Sequence, residues 1–378
     1  MPSHSGSGEI LCVVGARPNF MKIAPVMRAF SQAGSALNAR LLHTGQHYDA
    51  AMKHAFFDQL QIPEPDIDLE VGSGSHAQQT ADIMKRFEPV LDDMRPRAVL
   101  VVGDVNSTIA CALVAVKKGV PVLHVEAGLR SGDRSMPEEI NRVLTDQLSE
   151  LLFTTESTAR DNLLREGVAD ASIHFVGNVM IDTLFFNLER AVPSAETLRK
   201  AGLSGVAGDY GLITLHRPSN VDDPLVLKRL LDTLGDISQR TPLVFPVHPR
   251  TLARIESAGL GEELRRARIT TTAPLGYLDM LGLMRDARVV LTDSGGIQEE
   301  TTALGVPCIT LRENTERPIT VTQGTNTVVG TDPAKIIACY EDVISTGGKR
   351  GRSPELWDGA AAERVVTIVN HWSQALPT

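Results

Sequence analysis

Little in this sequence ties the chain to a membrane, to secretion or to redox chemistry. It has four cysteines in 378 residues, Cys12, Cys111, Cys308 and Cys339, and none stands in a CxxC pair. That excludes the usual zinc and dithiol spacings. Cys12, Cys111 and Cys308 lie in apolar runs and read as small core hydrophobes. This cysteine usage fits a reducing, cytoplasmic setting. No apolar run reaches 18 residues, so no membrane-spanning helix is expected. The start, MPSHSGSGE, lacks the apolar stretch of a secretion signal. Basic residues are in deficit, 37 against 46 acidic, for a net charge of −9. A broad nucleic-acid surface is thereby excluded, while a local basic pocket for an anion is not. The first strand-to-helix turn reads GARPN, not GxGxxG, so the dinucleotide fingerprint is missing as well.

What is present is an ordinary globular composition, 42% hydrophobic and 22% charged, in a chain long enough for two domains. After a polar tail at 1–8, expected to be disordered, strands and helices alternate strictly from 9 to 177. Short apolar runs such as AVLVV at 98–102 and the run at 120–125 have the character of buried parallel strands. The intervening segments carry helical periodicity, for example Ile23, Val26, Met27 and Phe30. An amphipathic helix and a glycine-rich link are expected over 183–208, after which the alternation restarts. The expected organisation is therefore an N-terminal α/β domain at 9–177 and a C-terminal α/β domain at 178–360. A final helix at 361–378 would pack back on the first domain. Both domains are expected to be doubly wound parallel sheets.

The most charged connection is HVEAGLRSGDRSMPEEINR, residues 124–142. It follows a buried strand, is longer than the two to six residues usual in α/β units, and holds Glu126, Arg130, Asp133 and Arg134. Open α/β sheets bind ligands at such strand ends. Asp104 and Asn106 follow another strand in the same way, and Arg17 and Lys22 flank the first turn. In the second half, TDSGGIQEET has a strand ending at Asp293. Two glycines then let a ligand approach the backbone of a helix start, where free N–H groups and the helix dipole suit a diphosphate. Glu300, two turns in, is placed to accept the hydrogens of a ribose diol. His216 and Arg217 follow one strand, His248 the next, and Arg312, Glu316 and Arg317 another. Two such domains facing across a cleft would bring the acidic set of the first to the basic set of the second. The pair His43 and His47 lies on a glycine-containing turn, which does not suit a metal site.

The motifs GARPNFMK, TGQHYD, VVGDVNST, HVEAGLRS, MPEEINR, VGNVMID, TLHRPSN, PVHPRT, LTDSGGIQEE and RENTERP occur in order over nearly the whole chain. As a set they resemble the non-hydrolysing UDP-N-acetylglucosamine 2-epimerases. The resemblance implies the GT-B fold, two Rossmann-like domains with a C-terminal helix crossing back to the first. It implies interconversion of UDP-GlcNAc and UDP-ManNAc by anti elimination of UDP to 2-acetamidoglucal and re-addition, with no metal and no NAD. It also implies a homodimer working in cell-surface polysaccharide biosynthesis, without nucleic-acid or membrane partners. Asp104, Glu126 and Glu138 match the family's catalytic carboxylates, and His216 its catalytic histidine. Arg17, Lys22, Arg142, His248, Ser294, Gly295 and Gly296 match positions around substrate and diphosphate. Glu300 matches the ribose carboxylate, and 274–281 the uracil-binding stretch.

The chain also departs from the family's better-known bacterial members. It reads HRPSN where they read HRREN, so Pro218 replaces a second arginine. The Arg-Gln pair that contacts an activating second UDP-GlcNAc in regulated members is replaced by GSGSHAQQT, although Gln46 matches one activator contact. TGQHYD, GSGSHA and RSMPEEINR equally resemble relatives acting on UDP-2,3-diacetamido sugars. Such a sugar is the alternative substrate, and a UDP-sugar glycosyltransferase of the same fold is the alternative reaction.

Overall fold

The computed structural model describes residues 7–32, 37–45, 57–206 and 208–375. Its strands form two parallel sheets, each with helices in the crossovers, which is the α/β class expected. The first sheet comprises β1 (Ser7–Val14), β2 (Asn38–His43), β3 (Ile67–Asp68), β4 (Pro96–Val102), β5 (Val122–Ala127), β6 (Leu151–Thr154) and β7 (Ile173–Phe175). They lie in the order β3-β2-β1-β4-β5-β6-β7. The connecting helices include α1 (Arg17–Gln32), α2 (His76–Met94), α3 (Asn106–Lys117), α4 (Pro137–Leu148), α5 (Ser157–Arg165) and α6 (Val179–Leu188). The central strands β4 and β5 are buried along nearly their whole length. Each Val or Leu so buried contributes about 1.5–3 kcal/mol. Val99, Val101 and Val122 pack with Ile83 and Phe87 of α2 and Ala110 of α3 in one cluster.

In the second sheet β8 (Gly211–Thr214), β9 (Leu243–Pro246), β10 (Ile269–Thr272), β11 (Val289–Thr292), β12 (Cys308–Thr310) and β13 (Asn326–Val328) lie in the order β10-β9-β8-β11-β12-β13. Its helices are α7 (Ser194–Lys200), α8 (Pro218–Val221), α9 (Pro224–Ser238), α10 (Pro249–Ser257), α11 (Gly261–Arg266), α12 (Tyr277–Asp286), α13 (Gly295–Leu304), α14 (Pro318–Thr322) and α15 (Pro333–Thr346). Leu227, Leu230 and Leu234 of α9 pack on Ile213, Phe245 and Leu291 of the sheet. In both sheets the winding direction reverses between the first strand and its neighbour: β1 beside β4, and β8 beside β11. The connections after those strands diverge and leave a crevice at their carboxyl ends.

The chain divides into two compact units, Met1–Phe186 with Glu355–Thr378, and Asn187–Pro354. The expected boundaries at 177/178 and 360/361 are therefore displaced. Asn178 Oδ1 accepts from the Met180 N–H at 2.9 Å and starts α6 earlier than the helix expected from 183. Pro193 then separates α6 from α7, where a single helix was expected. Thr183 of α6 donates to Met21 O at 2.6 Å, which fixes this helix in the first unit. On the return, Trp357 Nε1 donates to Thr155 O at 3.0 Å, and the last helix, α16 (Ala361–Ala375), packs against α1. Asp182 of α6 accepts from the Ala361 and Ala362 N–H groups at 3.2 and 2.7 Å and so caps α16. Of the tail expected to be disordered, residues 1–6 lie outside the described residues, while Ser7 and Gly8 open β1. Gln46 and His47 also lie outside the described residues. No described helix is long and apolar enough to cross a membrane.

Candidate functional site

In the first unit the site residues gather where β1, β4 and β5 end. The turn after β1 is held by Asn19. Its Oδ1 accepts from the Gly15 and Ala16 N–H groups at 3.3 and 3.1 Å, and its Nδ2 donates to Val102 O at the end of β4 at 2.9 Å. Lys22, one turn along α1, is buried, and its ammonium donates to Glu126 Oε1 at 2.7 Å. The two side chains are only 7% and 2% exposed. Gly103 makes room for this pair. A Cβ there would lie 2.7 Å from Lys22 Nζ, and the φ of +65° is a second reason for glycine.

Glu126 has φ +74°, and the β5–β6 register shifts between Val125 and Ala127. A bulge at Glu126 re-aims its side chain. A non-glycine residue in this backbone region costs about 1–3 kcal/mol and persists where the surroundings over-determine it. The next pair lies on α4. Arg142 Nη2 meets Asp104 Oδ2 at 2.5 Å, and its Nη1 meets Glu139 Oε2 at 2.8 Å. Asn141 Nδ2 donates to Asp104 O at 2.9 Å. Glu138, half-buried, is in the first turn of the same helix.

The long charged connection organises itself largely from within. Glu139, buried, accepts from Ser131 N and Oγ, both at 3.0 Å, and from Gly132 N at 2.9 Å. Arg130 pairs with Glu166 at 2.6 Å and Asp146 at 2.7 Å. Asp133 accepts from Ser135 N at 2.9 Å and Oγ at 2.6 Å, and those bonds hold its carboxyl below the usual range. His124 is fully buried, with Nδ1 2.7 Å from Asp146 Oδ1 and Nε2 2.9 Å from Gly103 O. The charges at Arg130 and Asp133 thus shape the loop. The groups left at the strand ends are Lys22, Asp104, Glu126, Glu138 and Arg142.

The second unit repeats the topology with different chemistry. Its crevice is flanked by the HRPSN turn after β8 and by Asp293-Ser294 after β11. Asp293 is fully buried. Its Oδ2 accepts from His216 N at 3.0 Å, Arg217 N at 2.9 Å and Asn220 Nδ2 at 3.2 Å. Its Oδ1 lies 2.9 Å from His216 Nδ1. Burial pushes the Asp293 carboxyl up, but the bond to His216 and the backbone N–H groups of Arg217 and His216 outweigh burial and hold it below the usual range. His216 and His248 stand with ring centroids 6.3 Å apart. His248 Nδ1 accepts from the Arg250 N–H at 3.2 Å and caps α10.

Ser294 holds the N-cap position of α13 without its hydroxyl taking a bond from the first turn. The first-turn N–H groups and the positive end of the dipole suit an anion. Gly295 admits Glu316 here, for a Cβ would lie 2.6 Å from Glu316 Oε1. Glu316 meets Arg312 Nη2 at 2.8 Å, and Arg217 Nη2 lies 3.5 Å away. Arg317 Nε meets Glu299 Oε1 at 2.9 Å. Burial raises the Glu316 pKa, yet Arg317, Arg312 and Arg217 hold it well below the usual carboxylate range. Three arginines against two carboxylates leave this cluster with one net positive charge. Glu300, on the second turn of α13, accepts from the Tyr277 hydroxyl at 3.0 Å. Burial, the Glu300 charge and this bond push the Tyr277 phenol well up, so it stays a donor.

The structure thus brings Lys22 to Glu126, Arg142 to Asp104, and His216 beside His248. Ser294, Gly295, Gly296 and Glu300 share one helix. The side chain of Arg17 lies outside the described residues. Sequence reasoning passed over the supporting residues Asn19, Glu139 and Tyr277, and took Asp293 only as a strand end. One signal could have found Asp293: an acidic residue closing an all-apolar strand needs several donors. Among the described residues no group of three or more His, Cys, Asp or Glu side chains is arranged to hold a metal ion.

Doubly wound sheets with ion-paired carboxylates at the strand ends of one unit and an anion-ready helix start in the other define an α/β protein suited to an anionic ligand. Comparison with known proteins gives the particular kind. The family model described as UDP-N-acetylglucosamine 2-epimerase matches residues 30–370, and the chain belongs to that family. It is 41% identical to the UDP-N-acetylglucosamine 2-epimerase of Methanococcus maripaludis over 364 residues, 96% of this chain and 98% of that one. It is 44% identical over 325 residues to the UDP-2,3-diacetamido-2,3-dideoxy-D-glucuronate 2-epimerase of Pseudomonas aeruginosa, covering 85% and 88% of the two chains. The crystal structure of Methanocaldococcus jannaschii UDP-GlcNAc 2-epimerase in complex with UDP-GlcNAc and UDP matches with TM-score 0.88 and 40% identity, over 96% of this chain and 99% of that one.

Proposed function

We propose that this chain interconverts UDP-GlcNAc and UDP-ManNAc by the non-hydrolysing route: anti elimination of UDP to enzyme-bound 2-acetamidoglucal, then re-addition. The observation that carries the reading is full-length family membership in a chain that retains the whole expected set of acid–base residues. The C2 proton beside an acetamido group is not acidic, so its removal is coupled to departure of the diphosphate. A base must take that proton, and inversion requires a proton donor on the opposite face. Asp104, Glu126 and Glu138 are the proposed groups. Lys22 and Arg142 hold Glu126 and Asp104 oriented. In the second unit the helix start at Ser294–Gly296 and the arginines around Glu316 stabilise the negative charge that develops on the leaving diphosphate. Arg17 is assigned to the same charge from the family resemblance. His216 and His248 face the diphosphate side, and Glu300 takes the ribose diol. The route uses no metal and no nicotinamide.

The same reading makes the enzyme a cytoplasmic homodimer supplying a sugar nucleotide for cell-surface polysaccharide. All four cysteines are free, which supports a reducing compartment. Ile140 and Leu144, one turn apart on α4, are 43% and 49% exposed. An apolar pair of this kind supports burial in a self-contact.

A second substrate, a UDP-2,3-diacetamido sugar, is favoured by the identity to the Pseudomonas enzyme and by the GSGSHA segment. Proton NMR in D2O with purified protein decides between them. Deuterium at C2 with a growing UDP-ManNAc signal is the expected result. Exchange only with the diacetamido substrate would move the assignment to that sugar. Release of free ManNAc and UDP would overturn the non-hydrolysing route.

A further inference from the structure

The two histidines at the carboxyl ends of β8 and β9 have opposite partners, and that fixes opposite tautomers. A neutral imidazole has one N–H and one bare nitrogen, and the fixed neighbour of one nitrogen decides which is which. His216 Nδ1 lies 2.9 Å from Asp293 Oδ1. A carboxylate accepts and does not donate, so Nδ1 carries the hydrogen and Nε2 is bare. His248 Nδ1 accepts from the Arg250 backbone N–H at 3.2 Å, so there Nδ1 is bare and Nε2 carries the hydrogen. One ring thus presents a proton acceptor and the other a donor, with centroids 6.3 Å apart. The His216 side chain is 42% exposed, while Asp293 is fully enclosed. The ring is thus partly open to solvent, while its carboxylate partner is shielded from water.

We propose that Asp293 is a positioning residue that holds His216 in the Nδ1–H tautomer and leaves Nε2 as a bare acceptor nitrogen. This rests on the proposed function insofar as it makes His216 part of turnover. A proton received at Nε2 makes an imidazolium whose other N–H already points at the Asp293 carboxylate. The carboxylate itself is locked in place. Its Oδ2 takes three donors, from His216 N, Arg217 N and Asn220 Nδ2. That lock also determines what an asparagine would do there. The amide oxygen must stay with those donors, so the amide nitrogen takes the place of Oδ1 and faces His216 Nδ1. Two donors cannot share that contact, and the ring must adopt the Nε2–H tautomer.

The test uses the full chain with 15N-labelled histidine. Long-range proton–nitrogen correlation reads the tautomer of each neutral ring, with the His216 signals assigned from a His216→Gln variant. Wild-type His216 is expected to show Nδ1–H and His248 Nε2–H. In Asp293→Asn, His216 is expected to switch to Nε2–H while KM stays near wild type. Its kcat is expected to fall on the order of 10²–10⁴-fold, the range that positioned acid–base groups contribute. Asp293→Glu, which keeps a carboxylate, is expected to restore the Nδ1–H signal and part of kcat. A wild-type His216 found as Nε2–H overturns the proposal with no variant needed, so it stays testable even if Asp293→Asn fails to fold. A switched tautomer with unchanged kcat upholds Asp293 as the tautomer-setting residue and removes His216 from the proposed mechanism. An unswitched ring in folded Asp293→Asn overturns the proposal whatever the activity.

Discussion

The first sheet sets β1 beside β4 and the second sets β8 beside β11, so each unit opens a crevice at the same topological position. The side chains in those crevices differ in kind. In the first unit, buried cations meet carboxylates directly, Lys22 with Glu126 and Arg142 with Asp104 and Glu139. In the second, a fully buried aspartate gathers backbone and amide N–H groups, and an arginine cluster carries a net positive charge beside a helix start. One scaffold thus carries ion-paired carboxylates at the strand ends of one unit and an arginine cluster beside a glycine-opened helix start in the other. Neither crevice carries the glycine-rich fingerprint of dinucleotide folds, and a helix opened by Ser-Gly-Gly is present in the second unit alone.

The largest test of this contrast removes the acid–base groups of the first crevice. Asp104→Asn, Glu126→Gln and Glu138→Gln are each expected to lower kcat by about 10²-fold or more, with unchanged circular dichroism. Wild-type turnover in all three would remove proton transfer from the first crevice. Next comes Lys22→Met, which leaves Glu126 buried without its cation. Breaking one side of such a pair costs about 3–5 kcal/mol, to be read as a lower urea midpoint. A midpoint within error of wild type would mean that the pair contributes nothing to folding.

Acidity sharpens the contrast, because Asp182 in the first unit and Glu316 in the second depart from the usual value in opposite directions. Asp182, in the first unit, is raised to about 6 from 3.8. Burial pushes it up and the Ala362 and Ala361 N–H groups only partly offset that. Its folded form holds the proton more tightly than the unfolded chain. Its contribution to stability is therefore complete below 3.8 and is lost as pH rises toward 6, about 3 kcal/mol at most. Glu316, in the second unit, is depressed, so its contribution is present above 4.5 and is lost as pH falls below that value. Hydrogen exchange, corrected for intrinsic rates, is expected to show α16 protection falling from pH 4 to 6 while α13 protection holds. Parallel pH profiles for the two helices would refute the assignment. The smallest effect is Tyr277→Phe. Loss of one hydrogen bond to the Glu300 carboxylate is expected to raise KM by about tenfold at most, near 1–1.4 kcal/mol, with kcat unchanged. A fall in kcat at constant KM would place Tyr277 in the chemistry and not in nucleotide binding.

Much of this was legible in the sequence. Apolar runs such as 98–102 and 120–125 are buried on both faces, so their composition announced parallel strands, and everything after them fell at strand ends by topology alone. His216, Glu126 and the Ser-Gly-Gly turn were visible for that reason. Their partners were not. Asp293 lies 77 positions from His216, and Glu126 lies 104 from Lys22, so no local pattern couples them. Glu139 stands next to Glu138 and is chemically identical to it. Only the three-dimensional placement of Ser131 and Gly132 shows that it pins the loop. The unit boundary was misplaced for a similar reason. Residues 179–188 read equally well as the opening of a second domain until Asp182 and Thr183 are seen bonding to segments 179 and 162 positions away.

That discontinuity has a consequence for biosynthesis. The second unit, Asn187–Pro354, is a single uninterrupted segment, whereas the first includes Glu355–Thr378 and so spans both ends of the chain. During translation, domains generally close as units once their residues have emerged. The unit that begins to emerge second is therefore the first able to finish. The half made first must wait with Asp182 lacking its Ala361 and Ala362 donors and the α1 face bare until α16 leaves the ribosome. Pulse proteolysis of stalled chains should find 187–354 resistant while 7–186 is still cut, and early resistance of 7–186 would show that α16 is dispensable for closure. The N-terminal half of this protein is, in time, its final product.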